Sequence, residues 1–230
     1  MKRILSLVLV LFLAAIGPNI FPAAQAGYGT LHVLAIRLLL PSILALAVLV
    51  VIFRKGQPEL SRTIMLGAVA GALATISLEV VRLLGFHFDF MPGNLPRLMG
   101  VLLLDRFAEG PSFLSDLAGW TYHFWNGAAF GILYAIMFGA RRRWVGALYG
   151  MALGVVFMLS PVVASLGVGF FGLQFSYGFP ITVLLAHLAF GWILGLLAQK
   201  LLSARASLLI DEIHQCFFPA HSSRHAGVPR

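Results

Sequence analysis

Residues 117–140 read LAGWTYHFWNGAAFGILYAIMFGA, a largely apolar run of membrane-spanning length. His123 is followed by Gly127 and Gly131 at successive steps of four. The last apolar run repeats the pattern with His187, Gly191 and Gly195. Residues spaced i, i+4, i+8 share one helix face, so each predicted helix carries a histidine at the head of a smooth glycine groove. Around these two lie runs of similar length at 31–53, 63–86 and 144–167, the last one itself covering 179–201. The pattern predicts an all-α fold, a polytopic transmembrane helical bundle of five or six spans.

Composition agrees. The chain has 230 residues, 60% of them hydrophobic and 10% charged, with a mean hydropathy of +0.95. That leaves too little charge to cover the surface of a water-soluble domain. An outer-membrane barrel would instead show short alternating segments. The net charge of +8 does not point to nucleic acid, because the basic residues sit between the apolar runs. Arg54, Lys55 and Arg62 lie in one connection, Arg141, Arg142 and Arg143 in another, and Lys200 and Arg205 follow the last run. If the runs alternate, all of these fall on one side, which is expected to be cytoplasmic and to hold the C-terminus. The implied location is a bacterial-type inner (plasma) membrane. With a single cysteine, Cys216, the chain has no intrachain disulfide framework and no CxxC site.

Residues 1–26 admit two readings. Lys2 and Arg3, an apolar core over 4–16, the breaker GPNIFP and Ala24-Gln25-Ala26 have the layout of a secretory signal peptide. The same residues also suit a first transmembrane helix broken by Pro18 and Pro22. The bundle is expected to occupy 27–202, with its longest outer loop at 87–116. There Pro96 is expected to open an interfacial helix running to about Phe107. Leu98, Val101, Leu102 and Leu104 would face lipid or protein, and Arg97, Asp105 and Arg106 water. Residues 203–230 read as a polar cytoplasmic tail containing His214, His221 and His225.

GAVAGALAT (67–75) resembles GALYGMALG (146–154), and each segment opens a helix that is followed by one bearing HxxxGxxxG. The sequence therefore suggests a duplicated two-helix unit in parallel orientation.

On the alternating topology Arg37, Glu79, Arg82, His123, Asn126 and His187 fall at one level in the outer half of their helices, with Ser160 at similar height. An ionisable group inside a bilayer costs about 2.5–3.5 kcal/mol on insertion scales, so these groups should converge on one another or on a cavity. Glu79 and Arg82, spaced i, i+3, can pair on one face. The structural alternative is a buried ion pair that only fixes helix register, with glycines that only allow close packing.

Three functional readings follow. One is a small-ligand or ion site, with Glu79, His123 and His187 binding or relaying protons and Arg37 or Arg82 holding an anion. Another is haem b held by His123 and His187. The third is a transition-metal site using His123, His187 and Glu79, with His87 and Asp89 nearby. No HExxH, nucleophile elbow or phosphate-binding glycine loop is found, so the reading leans away from an enzyme. Trp120, Tyr122 and Trp125 fit an interfacial aromatic belt. The lipid bilayer is one partner; a second copy of the chain or other membrane subunits could add to it.

The GAxxG and HxxxGxxxG helices, with the FDFMPGNLPRLMG loop between them, resemble small multi-pass bacterial inner-membrane proteins of uncharacterised function. The resemblance spans about residues 63–198. It implies a helical bundle and assigns no activity. The expected function is a membrane protein that binds or passes a small ligand or ion at the polar level, the alternatives being a haem or metal redox protein and a structural subunit.

Overall fold

A computed structural model of the chain describes residues 2–202, 207–210 and 212, and every regular element among them is helical. The histidines expected in the tail, and Cys216, lie outside the described residues.

Helix α1 (Lys2–Gln25) runs through Pro18 and Pro22. A short α2 (Leu31–Leu34) passes through a π-helical turn, Ala35–Leu39, into α3 (Leu40–Gly56). The π turn has a local cause: Pro41 has no N–H to return to the preceding turn, and the Leu40 N–H reaches back to Ala35 instead. Helix α4 (Pro58–His87) returns to the far end, where α5 (Leu95–Leu103) forms part of the long connection. Then follow α6 (Phe113–Phe138), α7 (Arg143–Met158), a short α8 (Pro161–Ser165) and α9 (Gly178–Leu201).

Among the described residues, five segments are long and apolar enough to cross a membrane: Arg3–Gln25, Leu31–Gly56, Pro58–His87, Arg143–Ser165 and Gly178–Leu201. Helix α6 has the length but not the apolarity, since it carries Thr121, Tyr122, His123 and Asn126. Its position accounts for this. It lies against α1, α4 and α5, where Tyr122, His123 and Asn126 meet protein, while Thr121 is exposed.

Arg54, Lys55, Arg62, Arg142 and Lys200 lie at or beyond one set of helix ends, here the basic end. Arg3 belongs to it too, 2.9 Å from Glu59 and 3.6 Å from Glu212. The core at this end joins Leu7, Val10 and Ala14 of α1 to Leu46, Ile132, Ile136 and Leu208. Ser207 donates to the Ile136 carbonyl at 3.1 Å. Helix α1 is thus an integral part of the packed interior.

Two glycine crossings set the frame. A Cβ on Gly71 of α4 would strike the Gly127 carbonyl and come within 2.8 Å of the Gly131 Cα on α6. A Cβ on Gly146 of α7 would strike the Gly191 carbonyl and come within 2.8 Å of the Gly195 Cα on α9. Such backbone approach is possible only without side chains. These contacts equate Gly71 with Gly146. Aligning GAVAGALAT with GALYGMALG equates Gly67 with Gly146, so the packing moves the correspondence by one helical turn. In the packing register Thr75 matches Gly150, Glu79 matches Gly154 and Arg82 matches Phe157.

Helix α5 ends at Leu103, short of the expected Phe107, and a 3-10 turn covers Phe107–Glu109. It faces protein: Met99, Gly100 and Val101 are buried, and a Cβ on Gly100 would strike the Ser115 carbonyl of α6. Arg97, Asp105 and Arg106 are exposed, as the sequence suggests.

Candidate functional site

Glu79 and Arg82, one turn apart on α4, form a buried pair. Arg82 Nε donates to both Glu79 oxygens at 2.9 Å, and Nη2 donates to Oε2 at 2.6 Å. From α6, His123 Nε2 stands 2.8 Å from Glu79 Oε1, off the in-line hydrogen-bond direction. Both carboxylate oxygens are therefore engaged. Arg82 Nη2 also reaches Asn94 Oδ1 at 3.5 Å, and its guanidinium carbon lies 5.9 Å from the Trp120 ring centroid. The remaining guanidinium nitrogen, Nη1, is buried and has no partner.

Arg82 lines a cavity of about 330 Å³ enclosed by α1, α4, α6, α7, α8 and α9 and capped by the segment from Met91 to Met99. Its walls are mainly apolar, with Phe130, Leu153, Phe157 and Phe190 among them. His123, Asn126, His187 and Ser160 also face it. Asn126 Oδ1 and Ser160 Oγ are buried without partners. Ser160 stands at the N-cap of α8, where a serine normally accepts from the helix backbone, yet its side chain makes no capping bond.

His187 differs from His123. Its Nδ1 is 2.8 Å from the Val183 carbonyl one turn back on α9. A carbonyl only accepts, so Nδ1 carries the proton and Nε2 keeps its lone pair. The ring stacks on Phe157, centroids 6.0 Å apart and planes at 25°. Gly154 supplies the space: a Cβ there would lie 3.1 Å from the His187 Cβ and Cγ.

Two exposed residues, Asn19 of α1 and Val156 of α7, edge the cavity. Val156 lies 13 residues into its helix and Asn19 17 into its own, about 20 and about 25 Å from the basic end at 1.5 Å per residue. The mouth therefore opens sideways between α1 and α7, at the depth of the apolar spans. Helix α1 is held against α6 here by close contacts. Tyr122 donates to the Gly17 carbonyl at 2.8 Å, and a Cβ on Gly17 would lie 2.7 Å from Trp125 Nε1.

Glu79, Arg82, His123, Asn126 and His187 are thus brought together as the sequence suggests, with Ser160 among them. Arg37 is not. It is exposed on the π-helical turn and does not line the cavity. Tyr122 does not belong to an interfacial belt, being 3% exposed and bonded to α1. Sequence reasoning missed Asn19, Thr75 and Thr182 on the cavity wall; the only available signal was an asparagine between two helix prolines.

Among the described residues no group of three or more His, Cys, Asp or Glu side chains could hold a metal ion. His123 Nε2, the nitrogen a haem iron would take, is set against Glu79, and His87 and Asp89 are exposed outside the cavity. Outside the membrane-spanning runs, Arg97 bonds Asp116 through Nη2 at 2.9 Å. That hydrogen bond holds the Asp116 carboxyl below the ordinary carboxylate value, with the guanidinium charge adding to it.

Compared with protein families, with curated proteins and with solved structures, the chain matches none.

Proposed function

We propose that this is a multi-pass membrane protein that binds, or passes, a small amphipathic molecule in the cavity between α1, α4, α6, α7 and α9. The observation that carries this reading is the Arg82 Nη1 group. It is a charged donor, buried and unpartnered, on a residue that lines an apolar cavity. A buried polar group without a partner costs about 1–3 kcal/mol, and more when charged, so a ligand acceptor at this point would recover that free energy. The apolar wall takes the body of the molecule. The sideways mouth admits it from the hydrocarbon layer. On this reading the basic end faces the cytoplasm of a bacterial-type cell, because short basic connections are retained inside. Helix α1 stays on the mature chain.

Calorimetric titration of the detergent-purified protein with octanol, octanamide and octanoate tests the site. At least one should bind with one-to-one stoichiometry. Val156→Trp, which fills the mouth from an exposed position, should remove that binding without lowering the melting temperature. Absence of binding by all three probes, or binding unchanged in Val156→Trp, would overturn the proposal.

A further inference from the structure

The chemistry of the cavity narrows its ligand, given that the cavity is a ligand site as proposed above. The unpartnered groups on residues that line the cavity are of two kinds. Arg82 Nη1 and the Ser160 hydroxyl can donate; His187 Nε2 and the Asn126 amide oxygen can accept. The Glu79–Arg82 pair sums to zero charge, and Glu79 has no oxygen left for a ligand. A bare anion would therefore add an uncompensated charge to an apolar cavity, which is strongly unfavourable. A purely neutral acceptor would leave His187 Nε2 without a donor.

The depth of the two groups allows one ligand head to meet both. A Cβ on Gly85 of α4 would strike the Thr182 side chain of α9, so these residues share a level. The helices are antiparallel. From that level Arg82 lies three residues and His187 five residues toward the basic end, about 4.5 and about 7.5 Å along their axes. The two side chains thus start within about 3 Å of each other in depth and line the same cavity.

We infer that the ligand is a monocarboxylic acid with an apolar body, and that it binds as carboxylate while its proton rests on His187 Nε2. The acid O–H breaks, the proton bonds to Nε2, and the carboxylate accepts from Arg82 Nη1–H and from the new Nε2–H. The cavity then holds the Glu79–Arg82 pair and a carboxylate–imidazolium pair, with no net charge. The Val183 carbonyl fixes the tautomer this requires, as a carbonyl partner does for a histidine whose other nitrogen binds a ligand. The other ionisable groups facing this region are Glu79 and Arg82 on α4 and His123 on α6. On α7, Tyr149 lies apart with Tyr134 and Phe138, and α1 and α8 bring none.

Octanoate is ionised at pH 7.5, so its binding must draw about one proton from solution. Calorimetry in two buffers of different ionisation enthalpy should read that uptake. Affinity should weaken about tenfold per pH unit as the pH is raised above 7. In His187→Gln the uptake and the pH slope should vanish while weaker binding remains. In His123→Gln, whose amide can donate to Glu79, the uptake should persist. Hexadecanoate in phosphatidylcholine nanodiscs separates the sources. Competition with octanoate assigns the acid to the bilayer, and lack of competition assigns it to short free acids. Octanoate binding without proton uptake, or uptake unchanged in His187→Gln, overturns the inference and leaves the cavity site standing. Failure of octanol, octanamide and octanoate alike removes the cavity site itself.

Discussion

The helix pairs α4–α6 and α7–α9 are built on the same crossing and finished differently. In both, a glycine carbonyl and the glycine one turn on receive the bare backbone of the partner, at Gly71 in one and Gly146 in the other. In both, a histidine stands one turn above the crossing. Two turns along from Gly71 the first pair has Glu79, and three residues later Arg82. Two turns along from Gly146 the second has Gly154, and then Phe157. His123 is consequently held by a carboxylate, whereas His187 lies over a glycine, stacks on a phenyl ring and turns to its own helix for a partner. The glycines decide how the helices meet, and the positions above them decide what chemistry the meeting supports. One pair supplies a fixed charge cluster with a spare donor. The other supplies a free base.

Two substitutions convert the first pair into the second. Glu79→Gly alone leaves the Arg82 guanidinium buried without its carboxylate, which should cost about 3–5 kcal/mol of stability. Adding Arg82→Phe removes the stranded charge and copies the Gly154–Phe157 arrangement, so most of the loss should return. Denaturant titrations in mixed micelles, read by tryptophan fluorescence, compare the three proteins. A double variant no more stable than Glu79→Gly would mean that the two halves are not interchangeable at this level.

The next effect tests the register. Gly71→Val and Gly146→Val each drive a side chain into a carbonyl and a facing glycine. Overpacking of this kind costs about 1–3 kcal/mol, and more where backbone blocks relaxation. The two should fall by similar amounts in the same titration. If Gly67→Val rather than Gly71→Val matched Gly146→Val, the alignment of GAVAGALAT with GALYGMALG would be right and the packing register wrong.

Much of this arrangement is legible in the sequence because helices have a fixed period. His123 with Gly127 and Gly131, and His187 with Gly191 and Gly195, announce their faces by spacing alone. Glu79 and Arg82 announce their pairing in the same way. What the period cannot convey is how one helix slides on another. The contact between His123 and Glu79 depends on the α4–α6 register, which is set by backbone approach at Gly71. A sequence alignment cannot see that, and it misplaces the repeat by a turn. Arg37 shares the depth of the other charges but not their direction. Pro41 forces a π turn at Ala35–Leu39, and the side chain stays exposed. The cavity was equally out of reach, since six helices wall it, and contacts such as those of Gly17 with Tyr122 and Trp125 join residues about a hundred positions apart.

The smallest expected effect concerns the third glycine crossing, between α5 and α6, which has a charge pair beside it. Gly119 of α6 admits the Pro96 carbonyl and the Gly100 backbone of α5, while Arg97 and Asp116 bridge the same helices at the surface. The hydrogen bond from Arg97 lowers the Asp116 carboxyl. A lowered carboxyl contributes stability above the ordinary carboxylate range and loses it as pH falls through the lowered value. The pair is open to solvent, however, and solvent screening leaves little of that contribution. Asp116→Asn should therefore leave the melting temperature at pH 7 within experimental scatter and flatten only its decline in acid. Gly119→Val should lower the melting temperature at every pH, because it forces α5 off the bundle and uncovers Met99. A larger loss from Asp116→Asn than from Gly119→Val would show that here charge, and not backbone approach, holds the helices together.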